Sequence, residues 1–225
     1  MPRALGDTMI HVSRIDFLVE VNNRPIYTKP DRGAPTEVEK EIGRLVAENL
    51  VENEATLQLG IGVIPDSTLA AMKNHKDLGI HSEAVSDGVL ELIDAGVITN
   101  TKKQFPCQYL QVSRTTPDVS KDFDSCEWTN SHEVIRSNSK MTCINACIEI
   151  DLTGQIVSDS IGSTFYSGFG GQVDFISAAS NTYDGKGKAI IALPSRTSKG
   201  KPKIVCTLSP VSAVLIVSLP FAFEP

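Results

Sequence analysis

The chain has 225 residues, 41% hydrophobic and 21% charged, with a formal net charge of −6. That length and composition suit a soluble globular protein with a sizeable core. The acidic balance disfavours nucleic acid, whose phosphate backbone selects basic surfaces.

The opening, MPRALGDTMIHVSRIDF, interrupts each apolar run with a charge, so no secretory signal is expected. IDFLVEV, Ile15 to Val21, alternates and predicts a strand. Asn22 to Pro35 carries three prolines and a glycine and reads as a linker or extended loop. At Thr36 the pattern changes. Thr36 and Glu39 make a capping box, and Val38, Ile42, Leu45 and Val46 fall on one helical face. ATLQLGI predicts a buried strand, Gly60-Ile61-Gly62 a turn, and Pro65, Leu69, Ala70 and Met72 the next helix. LGIHSEAV predicts a strand and GVLELIDAG a helix stopped by Gly96. This alternation defines an α/β fold: an open, largely parallel sheet with helical crossovers.

From Thr99 to Asn138 no periodicity places an element. MTCINACIEIDLTGQIVSDSIG predicts two strands joined by a turn at Asp151 to Gly154, and GKAIIAL and PKIVCTL predict two more. The apolar run from Val211 to Phe223 is shorter than the ~20 residues of a spanning helix, is interrupted by Pro220, and is an aggregation hazard. The five cysteines, Cys107, Cys126, Cys143, Cys147 and Cys206, are odd in number and hold no CxxC pair. They read as reduced thiols in an intracellular protein, cytoplasmic or mitochondrial. Cys143 and Cys147, four strand residues apart, are separated by roughly 13 Å, too far to bridge.

Four constellations could carry chemistry. Gly60-x-Gly62, between strand and helix, could admit a ligand backbone, but Pro65 stands where a dinucleotide fingerprint needs glycine, and a tight turn explains it equally well. YSGFGGQVDF, Tyr166 to Phe175, places Gly168, Gly170 and Gly171 in a loop whose N–H groups could cradle a phosphate or an oxyanion; no GKS or GKT makes it a Walker loop. His81-Ser82-Glu83 opens a zinc-deaminase signature whose other half fails, because Pro106-Cys107 is followed by Leu110; no metal site is expected and His81 reads as structural. Arg196, Lys199, Lys201 and Lys203 form a basic loop, either solvated or facing a phosphorylated ligand. Glu83 itself, between two apolar stretches, is either solvated at a strand end or held for chemistry.

ATLQLGIGVIPD, DLGIHSEAVSDGVLELIDAGVITNTKK, INACIEIDLTGQIVSDSIG and YSGFGGQVDFI, in this order, resemble the acetyl-CoA hydrolase/transferase family, and within it the 4-hydroxybutyrate and butyrate:acetate CoA-transferases. The resemblance runs from about Met1 to Val205. It implies one domain of a two-domain CoA-transferase: residues 1–35 as the end of an N-terminal domain plus linker, 36–206 as an incomplete C-terminal-type domain, and 207–225 as a divergent apolar tail. It also implies that Glu83 is the nucleophile and that Gly170 and Gly171 supply backbone donors to the thioester oxygen and CoA. Gly168 and Gln172 belong to the same loop, Gly60 and Gly62 border the site, and Asn145 lies beside the glutamate. Asp87 then caps the following helix.

The implied reaction moves CoA from an acyl-CoA such as acetyl-CoA to a short-chain carboxylic acid through a glutamyl-CoA thioester. CoA is a substrate, and no metal or redox cofactor is expected. With water as acceptor the same site is an acetyl-CoA hydrolase; an inactive truncated paralogue with a binding or interaction role is the non-enzymatic alternative. The implied partners are acyl-CoA and short-chain carboxylate, without nucleic acid or membrane, and with a homo-oligomer for the full-length protein.

Overall fold

The structure, a computed structural model, describes residues 5–6, 9–25, 33–84, 86–105, 122–168 and 170–209. Its strands are β1 (Leu5–Gly6), β2 (Thr56–Leu59), β3 (Gly79–Ile80), β4 (Asp122–Phe123), β5 (Thr142–Ala146), β6 (Glu149–Asp151), β7 (Ile156–Val157), β8 (Ser160–Ile161), β9 (Thr164–Phe165), β10 (Lys188–Ala192) and β11 (Ile204–Val205). Its helices are α1 (Glu37–Leu50), α2 (Val63–Ala71), α3 (Asp87–Asp94), α4 (Cys126–Thr129), α5 (His132–Ser137) and α6 (Gln172–Ala179), with a 3-10 turn at Val12–Arg14.

The main sheet has the order β10-β5-β2-β3, and every pairing in it is parallel. Helices cover both faces. Leu57, Leu59 and Ile144 face a core made with α1, α2 and α3, including Val46, Leu69 and Leu92. Cys143, one residue from Ile144 and therefore on the opposite face, packs with Ile135 of α5 and Phe175, Ala178 and Ala179 of α6. This is the open α/β sheet with helical crossovers that the alternation of elements predicts. The chain runs from β2 outward to β3, then returns to the other side of β2 to lay down β5 and β10. The direction of winding reverses between β2 and β5, and ligands of open α/β sheets bind outside the carboxyl ends of the strands at such a point.

Helix α1 begins as its capping box predicts: Thr36 Oγ1 accepts the Glu39 N–H at 3.3 Å, and Glu39 Oε2 accepts the Thr36 N–H at 2.8 Å. Its buried residues are Gly43, Val46 and Ala47, with Ile42 beside them. Val38 and Leu45, expected on that face, are exposed. The cause is the close approach to α2, where a Cβ on Gly43 would lie 2.6 Å from the Ser67 carbonyl carbon. That contact line fixes the rotation of α1 and turns Val38 and Leu45 outward.

Other expectations are corrected. Ile15 to Val21 form no strand, and Phe17 and Leu18 are 90% and 89% exposed. Alternation supplies two faces, but a strand also needs a partner for its backbone groups, and no described residue pairs with this segment. LGIHSEAV pairs only at Gly79–Ile80, with a bridge from Leu78 to Ile98; from Ser82 the chain leaves the sheet. Asp87 is the first residue of α3 rather than its N-cap, which is Ser86; its carboxylate still suits the positive end of the helix. The run from Met141 to Gly162 gives four strands instead of two, because β5 joins the main sheet and β6 joins a small sheet with β7 and β11. The β6–β7 turn forms as predicted, with Asp151 Oδ1 accepting the N–H groups of Thr153 and Gln155 and Gly154 in the left-handed region at φ 87°.

The linker Asn22 to Pro35 is described only in part. Pro106, Cys107, Leu110 and the run from Val211 to Phe223 lie outside the described residues. The other four cysteines are free thiols, Cys143 and Cys147 buried. Among the described residues, no helix is long and apolar enough to cross a membrane.

Candidate active site

The carboxyl ends of β2, β3, β5 and β10 open onto one cavity of about 710 Å³. Gly60 and Gly62 border it after β2, Ser82 and Glu83 after β3, Asn145 in β5 and Cys147 just after it, and Pro194 after β10. Gly168, Gly170, Gly171 and Gln172 close it from the α6 side. The eight residues that the resemblance assigns to the site, Glu83, Gly60, Gly62, Asn145, Gly168, Gly170, Gly171 and Gln172, therefore all line one cavity.

Each wall has a local cause. At the end of β2, Gly60 donates its N–H to the Ile144 carbonyl at 2.8 Å. A Cβ on Gly60 would lie 2.6 Å from Asn145 Oδ1, so glycine lets the two strand ends close up. The Asn145 amide is held by Gln58, donating Nδ2 to Gln58 Oε1 at 2.8 Å and accepting from Gln58 Nε2 at 3.2 Å. Both side chains are buried, so this reciprocal pair satisfies amides that would otherwise be costly to bury.

Helices α2 and α6 begin at the cavity, with N-caps Gly62 and Gly171 and no side-chain capping bond at either. Their first-turn N–H groups have no intrahelical partner, and both macrodipoles place partial positive charge there. Two helix N-termini bordering one cavity are an arrangement for anions. Gly170 occupies the left-handed region at φ 57°, which turns the loop into α6.

Glu83 is exposed in the cavity, and its Oε2 accepts from Asn130 Nδ2 at 3.2 Å. The amide reaching Glu83 is thus Asn130's, and Asn145 is occupied by Gln58. Asn130 follows α4, and its segment is anchored by His81, whose Nε2 lies 2.9 Å from the Thr129 carbonyl. His81 is buried, at the edge of Trp128 with 5.6 Å between ring centroids. Burial, helped by the nearby Lys103 charge, lowers its pKa to about 4, against the opposing Thr129 hydrogen bond. His81 is therefore a neutral imidazole that donates Nε2–H to Thr129, a structural role as the sequence suggests.

Two further charged side chains border the cavity. Glu39 is already engaged in the α1 capping box. Lys203 donates to the Cys147 carbonyl at 3.1 Å and is the sole cationic side chain lining the cavity among the described residues. Burial pushes the Cys147 thiol up to about 11, with Lys203 pulling weakly the other way, so this thiol is neutral at ordinary pH. The basic loop is split in two: Lys203 faces the site, while Lys199 and Lys201 are solvated.

Sequence reasoning missed Asn130, Gln58 and the particular position of Lys203. Gln58 had a signal, a polar residue inside a buried strand. Asn130 had none, because it lies in an aperiodic stretch and its partner is 47 positions away.

An open α/β domain whose anion-favouring cavity holds one exposed carboxylate fits the comparisons with known proteins. Residues 113–218 match the acetyl-CoA hydrolase/transferase C-terminal domain. The chain is 47% identical over 216 residues to a succinyl-CoA:acetate/propanoyl-CoA:succinate CoA transferase of Fasciola hepatica, covering 91% of this chain and 45% of that protein. It is 45% identical over 228 residues to the 4-hydroxybutyrate coenzyme A transferase of Clostridium kluyveri, covering 97% and 52%. A 4-hydroxybutyrate CoA-transferase from Porphyromonas gingivalis superposes with a TM-score of 0.74 at 32% identity, covering 94% of this chain and 53% of that one. The chain belongs to the acetyl-CoA hydrolase/transferase family. It spans about half the length of the curated relatives it matches.

Proposed function

We propose that this chain carries the nucleophilic half of a CoA-transferase site and that Glu83 is the nucleophile. The observation that carries the reading is the place of Glu83: an exposed carboxylate just past the carboxyl end of a main-sheet strand, held by Asn130 and lying directly against Gly171 at the cavity wall. Residues 36–206 contain the four-stranded sheet and every element around the cavity, and we read them as one functional domain.

The carboxylate attacks the thioester carbonyl of an acyl-CoA and expels CoA thiolate, leaving a mixed anhydride on Glu83. The thiolate attacks the glutamyl carbonyl, expels the free acid as carboxylate, and forms a glutamyl-CoA thioester. A second carboxylate then attacks that thioester and the steps run in reverse, regenerating Glu83 and a new acyl-CoA. Each displacement passes through an oxyanion, and the free N–H groups at Gly170, Gly171 and the start of α6 are the donors available to it. Asn130 orients the carboxylate and leaves its second oxygen for attack. The start of α2 and Lys203 favour the anionic portions of the substrates, CoA phosphates or the acid carboxylate.

The exposure of Glu83 supports acetyl-CoA hydrolase activity as a second reading, because water reaching the glutamyl thioester releases CoA and restores the carboxylate. One experiment separates the readings. The purified protein is incubated with acetyl-CoA and reduced with borohydride, which converts a glutamyl thioester to an alcohol. Mass spectrometry is expected to find the change at Glu83, and a modified peptide elsewhere sinks the assignment. Labelled butyrate then distinguishes transfer, which gives butyryl-CoA, from hydrolysis, which gives free CoA.

A further inference from the structure

The outer edge of β3 is completed by side chains. Gly79 and His81 direct their N–H groups to β2, bonding the carbonyls of Ala55 and Leu57, each at 2.9 Å. The residues between them, Leu78 and Ile80, therefore face the other way, where the segment after α3 runs alongside. At Leu78 the backbone supplies the partners: its N–H bonds Val97 O at 2.9 Å, and its carbonyl accepts from Thr99 and Asn100 at 3.0 and 3.1 Å. Asn100 then takes a left-handed conformation, φ 57°, and the backbone turns away. At Ile80 two side chains take over. Asn100 Oδ1 accepts the Ile80 N–H at 2.8 Å, and Lys103 Nζ donates to the Ile80 carbonyl at 2.8 Å.

Both side chains are buried, each 4% exposed. The Lys103 stem lies on Gly79, where a Cβ would come 2.8 Å from Lys103 Cγ. Burying an amine is costly, and burial lowers the Lys103 pKa to about 8, with the Asp124 carboxylate acting the other way. Ile80 is itself buried, so its N–H and carbonyl need partners inside the protein. Asn100 and Lys103 supply them, so the last outward-facing peptide of β3 is clamped at both its groups three residues before Glu83.

We propose that Asn100 and Lys103 are positioning residues for Glu83: they replace a neighbouring strand at Ile80 and fix the direction in which the chain leaves β3 toward the carboxylate. This rests on reading Glu83 as the nucleophile.

The test compares Lys103→Met and Asn100→Ala with the conservative Asn100→Asp, which retains an acceptor for Ile80. Two quantities are measured: kcat and KM for acetyl-CoA with butyrate as acceptor, and amide hydrogen exchange across residues 78–84. Lys103→Met and Asn100→Ala are expected to lower kcat about 10- to 100-fold through misplacement of the nucleophile, with KM changed less than about 3-fold. Exchange at 80–84 is expected to accelerate while β5 is unchanged, and Asn100→Asp is expected to restore both. Folded variants with wild-type kcat and unchanged exchange overturn the proposal. If Lys103→Met fails to fold, the asparagine pair decides. If the wild-type protein shows no turnover, the proposed function fails, and the exchange measurement alone judges the clamp: unchanged rates at 80–84 overturn it.

Discussion

Gly171 and Glu83 approach so closely that a Cβ on Gly171 would overlap Glu83 Oε2 and its donor, Asn130 Nδ2. The glycine is required here by space, since its φ of −86° suits any residue. The overlap is relieved only by moving the Glu83 carboxylate and the Asn130 amide themselves, because these are the groups the Cβ would meet. Gly171→Ala is therefore expected to displace that carboxylate and lower kcat roughly 10²-fold, the scale of losing one oriented group at a reacting centre. CoA affinity and folding stability should change little, the latter by less than about 1 kcal/mol for an N-cap substitution. Gly170→Ala is the contrast. Its Cβ meets nothing within 4 Å, but φ is +57°, so it costs about 1–2 kcal/mol of loop strain and a smaller loss of kcat. Equal kcat losses in the two variants would count against a direct role for the Gly171–Glu83 contact.

Asn130 makes the one side-chain hydrogen bond to Glu83 among the described residues. Asn130→Ala should leave the carboxylate free to rotate and lower kcat about 10-fold, with KM for acetyl-CoA nearly unchanged. Asn130→Asp replaces the donor by a second anion beside the first and should cost more than the alanine. Turnover of Asn130→Asp at or above that of Asn130→Ala would show that the amide does not orient Glu83.

Much of this site was legible in the sequence because its walls are local. The capping box at Thr36 and Glu39, the glycine turn after β2 and the glycine loop before α6 each depend on residues within a few positions. The resemblance of four ordered motifs then pointed to Glu83. What stayed hidden depends on partners far away in the chain. The alternation of Ile15 to Val21 says nothing of whether another strand lies beside it. The apolar stripe of α1 includes Val38 and Leu45 by period, yet the approach of Gly43 to Ser67 decides its rotation. Asn130, Asn100 and Lys103 come from an aperiodic stretch whose side chains act on β3 and its loop, a role no local pattern announces.

The same close approaches make two glycines stability determinants. A Cβ on Gly43 meets Ser67 and Thr68 backbone, which cannot step aside without moving α2. Gly43→Ala is expected to destabilise by about 1–3 kcal/mol despite the better helix propensity of alanine, as overpacking does. Gly60→Ala instead meets the Asn145 amide at 2.6 Å and should break its pairing with Gln58. Leaving buried amide groups unpaired costs about 1–3 kcal/mol. Urea unfolding measures both; a neutral Gly43→Ala would show that α1 can lift off α2 at no cost.

His81 gives stability a pH dependence whose sign can be worked out. Burial, with the Lys103 charge assisting, lowers its pKa from 6.5 to about 4 in the folded chain. As pH falls below 6.5, the unfolded chain takes up a proton on His81 that the folded chain refuses. The neutral imidazole's contribution is thus complete above 6.5, shrinks as pH falls, and is gone below about 4. The full shift corresponds to about 3 kcal/mol, of which about 2 kcal/mol is lost by roughly pH 5, before most carboxylates begin to titrate. His81→Gln retains a donor for the Thr129 carbonyl and has no proton to gain. Urea unfolding of both proteins between pH 7.5 and 5 should show the wild type losing stability relative to the variant as pH falls, with the difference growing from near pH 6.5. Parallel curves would mean that His81 takes up its proton while folded. The Thr129 anchor, and with it the placement of Asn130 beside Glu83, would then have to tolerate an imidazolium.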